Sequence, residues 1–467
     1  MMTTPYHGPY IAGDFQHCSD SVPLHAPYDN TQIATIGYAS HAQMLKALSF
    51  ATAHLNTIAA LTTADIKQGL TRFKKALQDN QEELAQCISQ EAAKPINLAR
   101  IEVQRALTVI DDGIQHADFC DQQEAVELGA ASTTHSAFSK AFPIGVIVGI
   151  TPFNFPLNLL LHKLIPSIIS KNAIIIKPAV QTPLTAMKVA ELFDNCGLAK
   201  ALFQVCPCSN EVAQSLIEDK RVHCLSFTGS TAVGKQLQAL IPHKKVLLEC
   251  GGTATAIVDD SADISDTSKR IVQGAFAYSG QSCISVQHVY VHHAIYYSFK
   301  EQLLSQLADI KAVAPNEEGL LSCLISKQAQ DRFNGLIDDA YTNGATKTNF
   351  SEAVLLEQLP AHAKLMQDEA FGPVLCLHSF ASCHRVIQKL NDSHFGLQHA
   401  LFSSCEDTIT LAYNSIDVGG LLINESPTWR IDSMPYGGVK ESGNCKEGVV
   451  YSAREFTNSK LCVRRHS

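Results

Sequence analysis

In Gly280-Gln281-Ser282-Cys283-Ile284-Ser285 a cysteine stands between a glycine turn and an apolar run. Such a position can present a thiol at a junction between structural units. The thiolate is the nucleophile, and a free thiol with a pKa of about 8.5 needs activation by its surroundings. A buried, inert cysteine is the commoner fate of any single one. Glu249 closes the apolar run of Leu247-Leu248-Glu249-Cys250-Gly251-Gly252, where two glycines permit close backbone approach. A carboxylate at the carboxyl end of a parallel strand lies where open α/β sheets bind ligands, although a cap or a salt bridge would also explain it. Asn154, fixed within Pro152-Phe153-Asn154-Phe155-Pro156, is a rigid amide donor suited to a developing oxyanion. A turn asparagine serving its own backbone is the alternative. Phe227-Thr228-Gly229-Ser230-Thr231-Ala232-Val233-Gly234 places Ser230 as an N-cap and offers free N–H groups to a pyrophosphate, without being a G-x-G-x-x-G fingerprint.

The elements around these residues alternate. Strands are expected at 144–148, 173–177, 202–206, 223–227 and 245–248, with helices at 157–170, 184–196, 211–218 and 231–240 between them. Near-continuous apolar strands separated by single helices imply a parallel sheet covered on both faces. A second alternating region has strands at 286–291 and 374–377 and helices near 295–307 and 327–341. Residues 41–117 read as mainly helical, with Leu84, Ile88 and Ala92 at four-residue spacing, and the Ser/Thr-rich stretch 127–141 reads as an exposed ribbon.

Composition bounds the rest. At roughly 150 residues per domain, 467 residues suggest about three units. With 46% hydrophobic and 17% charged residues the chain can bury a large core, which excludes a disordered protein. A net charge of −9 leaves no broad basic surface for nucleic acid. The region 143–161 is the longest apolar one, but Asn154, Asn158 and three prolines make it a poor membrane span. The first seven residues lack the basic start and apolar stretch of a secretory signal. Fifteen scattered cysteines with no Cys-x-x-Cys pair suit a reduced, cytoplasmic protein, and no metal site is expected.

In chain order Phe-Asn-Phe-Pro, Ile-Lys-Pro-Ala, Phe-Thr-Gly-Ser, Leu-Glu-Cys-Gly-Gly and Gly-Gln-Ser-Cys resemble the aldehyde dehydrogenase superfamily. So do Glu369-Ala370-Phe371-Gly372-Pro373 and the segment Pro435 to Gly443; the resemblance runs from about Tyr10 to Val463. Each motif is weak alone, and the ordered set is specific. The resemblance implies an α/β, aldehyde dehydrogenase-like fold. A Rossmann-like parallel-sheet cofactor domain would occupy 1–120 and 143–249, and an α/β catalytic domain 250–442. A small β oligomerisation arm would comprise 121–142 and 443–467, so a homodimer or homotetramer is expected.

It also implies roles. Cys283 would attack the aldehyde, Asn154 and the Cys283 N–H would hold the oxyanion, and Glu249 would activate water against the thioester. For NAD or NADP, Lys177 would bind the adenosine ribose, Ser230 the pyrophosphate and Glu369 the nicotinamide ribose, with Phe371 packed nearby. Ala179, Val180, Gly229, Gly234 and Gly251 belong to the same cofactor wall. Phe153, His162, Ser282, Ile284 and Trp429 would line a substrate tunnel, Trp429 having a core position as its alternative. Arg430 and Arg105 would meet an anionic tail or else form ordinary salt bridges. The motifs look like those of the subset acting on small polar aldehydes, of the lactaldehyde, phosphorylated-triose, phosphonoacetaldehyde and semialdehyde types.

Some positions depart from the family pattern. Val180 stands where NAD-preferring relatives often carry a Glu, which permits NADP. Tyr278 replaces a common Asn, Thr253 a common Lys, and Cys445-Lys446 a common Gly-Arg. Three other readings stay open: a coenzyme-A-acylating semialdehyde dehydrogenase, a nicotinamide-independent cysteine esterase, and a non-catalytic member.

Overall fold

The computed structural model describes residues 5–130 and 134–466. Two seven-stranded sheets dominate it. In the first, Lys245–Glu249, Val222–Thr228, Val146–Ile150, Ala173–Lys177 and Phe203–Val205 lie side by side and parallel. Their apolar runs are buried on both faces, as the sequence pattern requires. Tyr10–Ile11 and Asp14–Phe15 then extend the sheet antiparallel at one edge. The register pairs Thr228 with Glu249, Phe227 with Ile150, and Ile150 with Lys177. All these strands therefore end at one level, and the chemistry-bearing residues emerge there together.

The second sheet runs Thr346–Phe350, Ala353–Glu357, Val374–Phe380, Val286–His292, Ala254–Val258, Gln398–Phe402 and Gly420–Ile423, parallel except for the first pair. Five of these strands, at 254, 346, 353, 398 and 420, lie in segments that the sequence reading passed over. A third, antiparallel sheet joins Thr457–Arg465 to His135–Pro143 and that strand to Gln123–Ala125. The expected ribbon at 127–141 is thus a strand from His135 onward, and its residues 131–133 lie outside the described residues.

The helices begin and end near the expected places. Helices from His41–Ala53 to Ile96–Gln115 fill the N-terminal region, two of them opened by capping boxes at Ser40 and Thr62. Five strands before His41 were not foreseen; three of them are two residues long and leave no periodic signal, and the other two are Asp20–His25 and Gln32–Tyr38. Asn158–Ile169 is buried along its whole length, which explains its almost uninterrupted apolar sequence. Among the described residues no helix is long and apolar enough to cross a membrane.

Candidate active site

Cys283 lies on the turn just before Val286–His292, half-buried. Tyr278 and Ser279 ahead of it both have positive φ, at 53° and 55°, and Gly280 follows at 70°. Two consecutive non-glycine residues in the left-handed region carry strain, which tertiary contacts must hold in place. The Tyr278 hydroxyl donates to the Ala92 carbonyl at 2.6 Å, and Ser279 Oγ donates to the Ser322 carbonyl at 2.7 Å. A left-handed backbone also accounts for the asparagine common at this position, since Asn tolerates it better than Tyr.

The glycines after Glu249 bring the other groups to this turn. A Cβ on Gly252 would stand 3.1 Å from the Cys283 carbonyl oxygen, and one on Gly251 2.3 Å from the Glu369 carboxylate. The Gly252 N–H donates to Glu369 Oε1 at 3.2 Å. Burial pushes the Glu369 carboxyl up to about 7, with the Gly252 bond and Arg332 easing it only partly. A cleft lined by Gly252, Gly280, Ser282, Glu369, Phe371 and Gly372 opens here. Phe371 has φ 48° and meets Phe153 edge to face at 5.9 Å.

Asn154 follows the strand Val146–Ile150 and donates from Nδ2 to the Gln281 carbonyl at 3.0 Å, which places it against the cysteine turn. Its second Nδ2 hydrogen and the Cys283 N–H take no acceptor among the described residues. Lys94 fixes the loop from behind. Its Nζ donates to the Asn154 carbonyl at 2.6 Å and to Glu102 at 2.5 Å, while Glu102 accepts the N–H groups of Leu157 and Asn158. Lys94 and Glu102 are both buried. The sequence reading missed this pair, because a Lys in a short link between helices and a Glu in an amphipathic helix look like surface residues until their neighbours are known.

Glu249 ends its strand with a buried carboxyl. Cys445 Sγ donates to Oε1 at 3.3 Å, and Oε2 has no partner among the described residues. Burial, then the charge of Glu447, raises the Glu249 pKa well above the usual range, against the pull of Cys445, Arg430 and Lys163. Burial also opposes the Glu447 charge, but His162, Arg430 and Lys163 outweigh it and hold that carboxyl low. Of the two acids, Glu249 is the one pushed up and Glu447 the one held low. Cys445 was noted only as a departure from a family pattern; the structure puts it on the carboxyl itself.

Tyr436, beside Cys283, leads through Arg430 and His162 into a buried polar network. Asp432 accepts both Arg105 guanidinium arms, at 2.7 and 3.1 Å, together with Asn158 Nδ2 at 3.0 Å and His162 Nε2 at 2.9 Å. Arg430 Nη2 donates to Glu447 at 2.9 Å, and Arg430 lies over the Tyr436 ring at 4.0 Å. Both arginines therefore hold acid partners, the salt-bridge alternative of the sequence reading, though Asp432 and Glu447 are buried rather than superficial. Ile284 packs with Leu397 and Tyr436. Trp429 is 44% exposed, so its core alternative fails.

At the carboxyl ends of the first sheet the residues suit a dinucleotide. Lys177 is buried to 7% exposure, and its ammonium makes no hydrogen bond or ion pair among the described residues. Burial lowers its pKa. Ser230 has the extended backbone of an N-cap, but its hydroxyl does not cap the helix Thr231–Leu240, which corrects the expected side-chain cap and leaves the hydroxyl to a ligand. Gly229 is tight on Phe227, and a Cβ on Gly234 would meet Cys250 Sγ at 2.9 Å, so helix and strand pack closely. Ala179 is half-buried and Val180 is 47% exposed beside them.

Comparison with known proteins agrees with this geometry. The aldehyde dehydrogenase family model matches residues 15–462. The chain belongs to the aldehyde dehydrogenase family. A 3-sulfolactaldehyde dehydrogenase of Priestia aryabhattai is 32% identical, with 98% of each chain covered. A sulfoacetaldehyde dehydrogenase of Neptuniibacter caesariensis is 30% identical over 95% of this chain and 100% of its own. Among solved structures, aldehyde dehydrogenase 21 from Physcomitrella patens, in complex with the product succinate, superimposes with a TM-score of 0.95 at 31% identity, covering 99% of both chains. The NADP-dependent glyceraldehyde-3-phosphate dehydrogenase of Bacillus halodurans C-125, complexed with NADP, gives a TM-score of 0.95 at 25% identity over 99% of this chain and 100% of that one. As an aldehyde dehydrogenase the protein is an oxidoreductase that uses NAD or NADP.

Proposed function

We propose that the chain oxidises a small polar or anionic aldehyde to its carboxylic acid, with Cys283 as nucleophile. One observation carries the substrate class. Tyr436 touches Cys283 and leads through Arg430 and His162 to Asp432, Asn158 and Arg105, a buried polar network that suits a polar or anionic substrate better than an aliphatic one. The relatives named for sulfolactaldehyde and sulfoacetaldehyde support the same reading.

Once the thiol has lost its proton, Cys283 Sγ attacks the aldehyde carbon. The Cys283 N–H and the free Nδ2 hydrogen of Asn154 would hold the resulting oxyanion, and Lys94, held by Glu102, fixes the Asn154 backbone. A nicotinamide held beside Cys283 would supply the hydride acceptor, leaving the acyl group on Cys283 as a thioester. Glu249, deprotonated, then takes a proton from water as the water oxygen adds to the Cys283 thioester, releasing the acid and regenerating the sulfur. Lys177, Ser230 and Glu369 are the groups that would hold the dinucleotide's hydroxyls and pyrophosphate. The exposed Val180 puts no carboxylate near them, which favours NADP or dual use.

The remaining expectations follow. The first sheet and N-terminal helices form the cofactor domain and the second sheet the catalytic domain. The antiparallel sheet of Thr457–Arg465 carries Leu461 and Val463 more than half exposed, and its bare edge supports a homodimer or homotetramer in a cytoplasmic enzyme. A spectrophotometric aldehyde panel with both cofactors tests the reading; highest kcat/KM on long aliphatic aldehydes would refute the substrate class. Cys283→Ser should lower turnover by at least about 10³-fold. Formation of an acyl-coenzyme-A product on adding coenzyme A would favour the acylating alternative instead.

A further inference from the structure

The hydroxyl of Tyr436 lies 3.0 Å from Cys283 Sγ, and this is its only hydrogen bond among the described residues. Tyr436 is buried, and a three-part frame fixes it. Its backbone exchanges both hydrogen bonds with Glu447, through an isolated bridge. The same Glu447 holds Arg430 by its carboxylate, and Arg430 lies 4.0 Å above the Tyr436 ring. The ring cannot swing away without breaking either the bridge or the stacking.

We propose that Tyr436 is a further catalytic residue, a hydrogen-bond donor that selects the thiolate of Cys283, and that Arg430 is the positioning residue that holds it there. The inference rests on Cys283 being the nucleophile. Donor and acceptor follow from chemistry: an S–H is a weak donor, and a thiolate can only accept, so the phenol O–H must be the donor once the sulfur is charged. A hydrogen bond to a charged partner is among the stronger ones, and it favours the charged form. The requirement for such help is visible in the site. Burial pushes the Cys283 thiol up to about 12, and Glu369 and Glu249 face it with the wrong sign; only Tyr436 and Arg430 act to lower it. Tyr436 keeps its own proton, because burial and the neighbouring thiol raise its pKa well above the usual value. Arg430, which the sequence offered to an anionic tail, thus has a role even when its charge is spent on Glu447.

The test uses the full-length enzyme without cofactor, following carbamidomethylation of Cys283 by iodoacetamide, with the modified peptide quantified by mass spectrometry across neutral to alkaline pH. Tyr436→Phe keeps the ring and removes the hydroxyl. It should slow labelling at neutral pH by about tenfold or more, the scale of a hydrogen bond to a charged group, and lower kcat/KM for the aldehyde by a similar factor with cofactor affinity unchanged. Arg430→Gln should slow labelling too, and its effect should shrink in the Tyr436→Phe background, as expected for a residue acting through another. Labelling of Tyr436→Phe within twofold of the parent overturns the inference. If instead Cys283→Ser retains aldehyde oxidation, the nucleophile assignment fails, and that result is separable from the first.

Discussion

The two large sheets meet the site from opposite ends. The first presents the carboxyl ends of its strands: Glu249 closes Lys245–Glu249, Lys177 closes Ala173–Lys177, and Asn154 and Ser230 follow strands directly. The second presents the amino ends: Cys283 precedes Val286–His292, Glu369 precedes Val374–Phe380, and Gly251 and Gly252 precede Ala254–Val258. Their interiors differ as well. In the first sheet Val146–Ile150 and Ala173-Ile174-Ile175-Ile176 are apolar runs, with Gln204 and Ser226 buried on other strands, whereas the second buries the adjacent polar pairs Gln287-His288 and Gln398-His399. His288 donates from Nε2 to the Leu365 carbonyl and is held neutral by burial, its pKa falling to about 4. Opposed polarity lets each sheet supply different chemistry. Carboxyl ends open into crevices that accept a ligand, while the amino ends begin at turns whose irregular backbone can aim a side chain.

Three substitutions probe this division, on the first sheet, the connecting loop and the second sheet in turn. On the first sheet, Glu249→Gln should leave one rapid turnover of reduced nicotinamide and then slow steady-state oxidation on the order of 10²–10⁴-fold, because only the water step loses its base. Since the Glu249 pKa is raised, the parent's steady-state rate should climb with pH through that pKa, and the climb should vanish in the variant. An undiminished steady state would remove Glu249 from the chemistry.

The loop between Gly420–Ile423 and Val439–Lys440 supplies Asp432, the common acceptor for Arg105, Asn158 and His162. Burial opposes its charge, yet the His162 and Arg105 bonds hold its carboxyl far below the usual range. A depressed pKa contributes stability that is present above the unfolded-state value and lost on acidification. Asp432→Ala should cost about 3 kcal/mol, the scale for removing one partner of a buried pair, with a smaller cost at acid pH. Equal urea midpoints for the two proteins at neutral pH would show that the network is not structural.

The smallest effect belongs to the second sheet. Glu369 has its pKa raised to about 7, so it is neutral on the acid side and charged on the alkaline side. A charged carboxylate is the better acceptor for ribose hydroxyls. The Kd for the dinucleotide should therefore weaken as pH falls through about 7, by up to about tenfold per unit, and Glu369→Gln should flatten the curve. Isothermal titration at several pH values checks this; a curve identical in the variant would assign the pH effect elsewhere.

How much of this was legible in the residues depends on range. Strands of the first sheet and the helices between them carry strong periodicity, and their positions were readable to within a few residues. The strands before His41 were not, since most are two-residue pieces, and strands such as Gly420–Ile423 were not, since their conformation is set by pairing with a segment some twenty residues away. Candidate nucleophile, carboxylate and amide stood out by motif. Lys94, Glu102, Asp432 and Glu447 did not, since a charged residue in a helix or loop gives no sign that it will be buried and paired.

Local order along the chain thus determined the alternation of elements, the family and the residue types available for chemistry, because backbone preference and apolar spacing are properties of neighbours. Tertiary structure alone decided that the Glu249 carboxyl is pushed up while Glu447 is held low, that Arg105 and Arg430 are engaged by acids, and that a tyrosine reaches the cysteine sulfur. Those outcomes depend on burial and on distances of a few ångströms between segments far apart in sequence, where the low dielectric magnifies each contact.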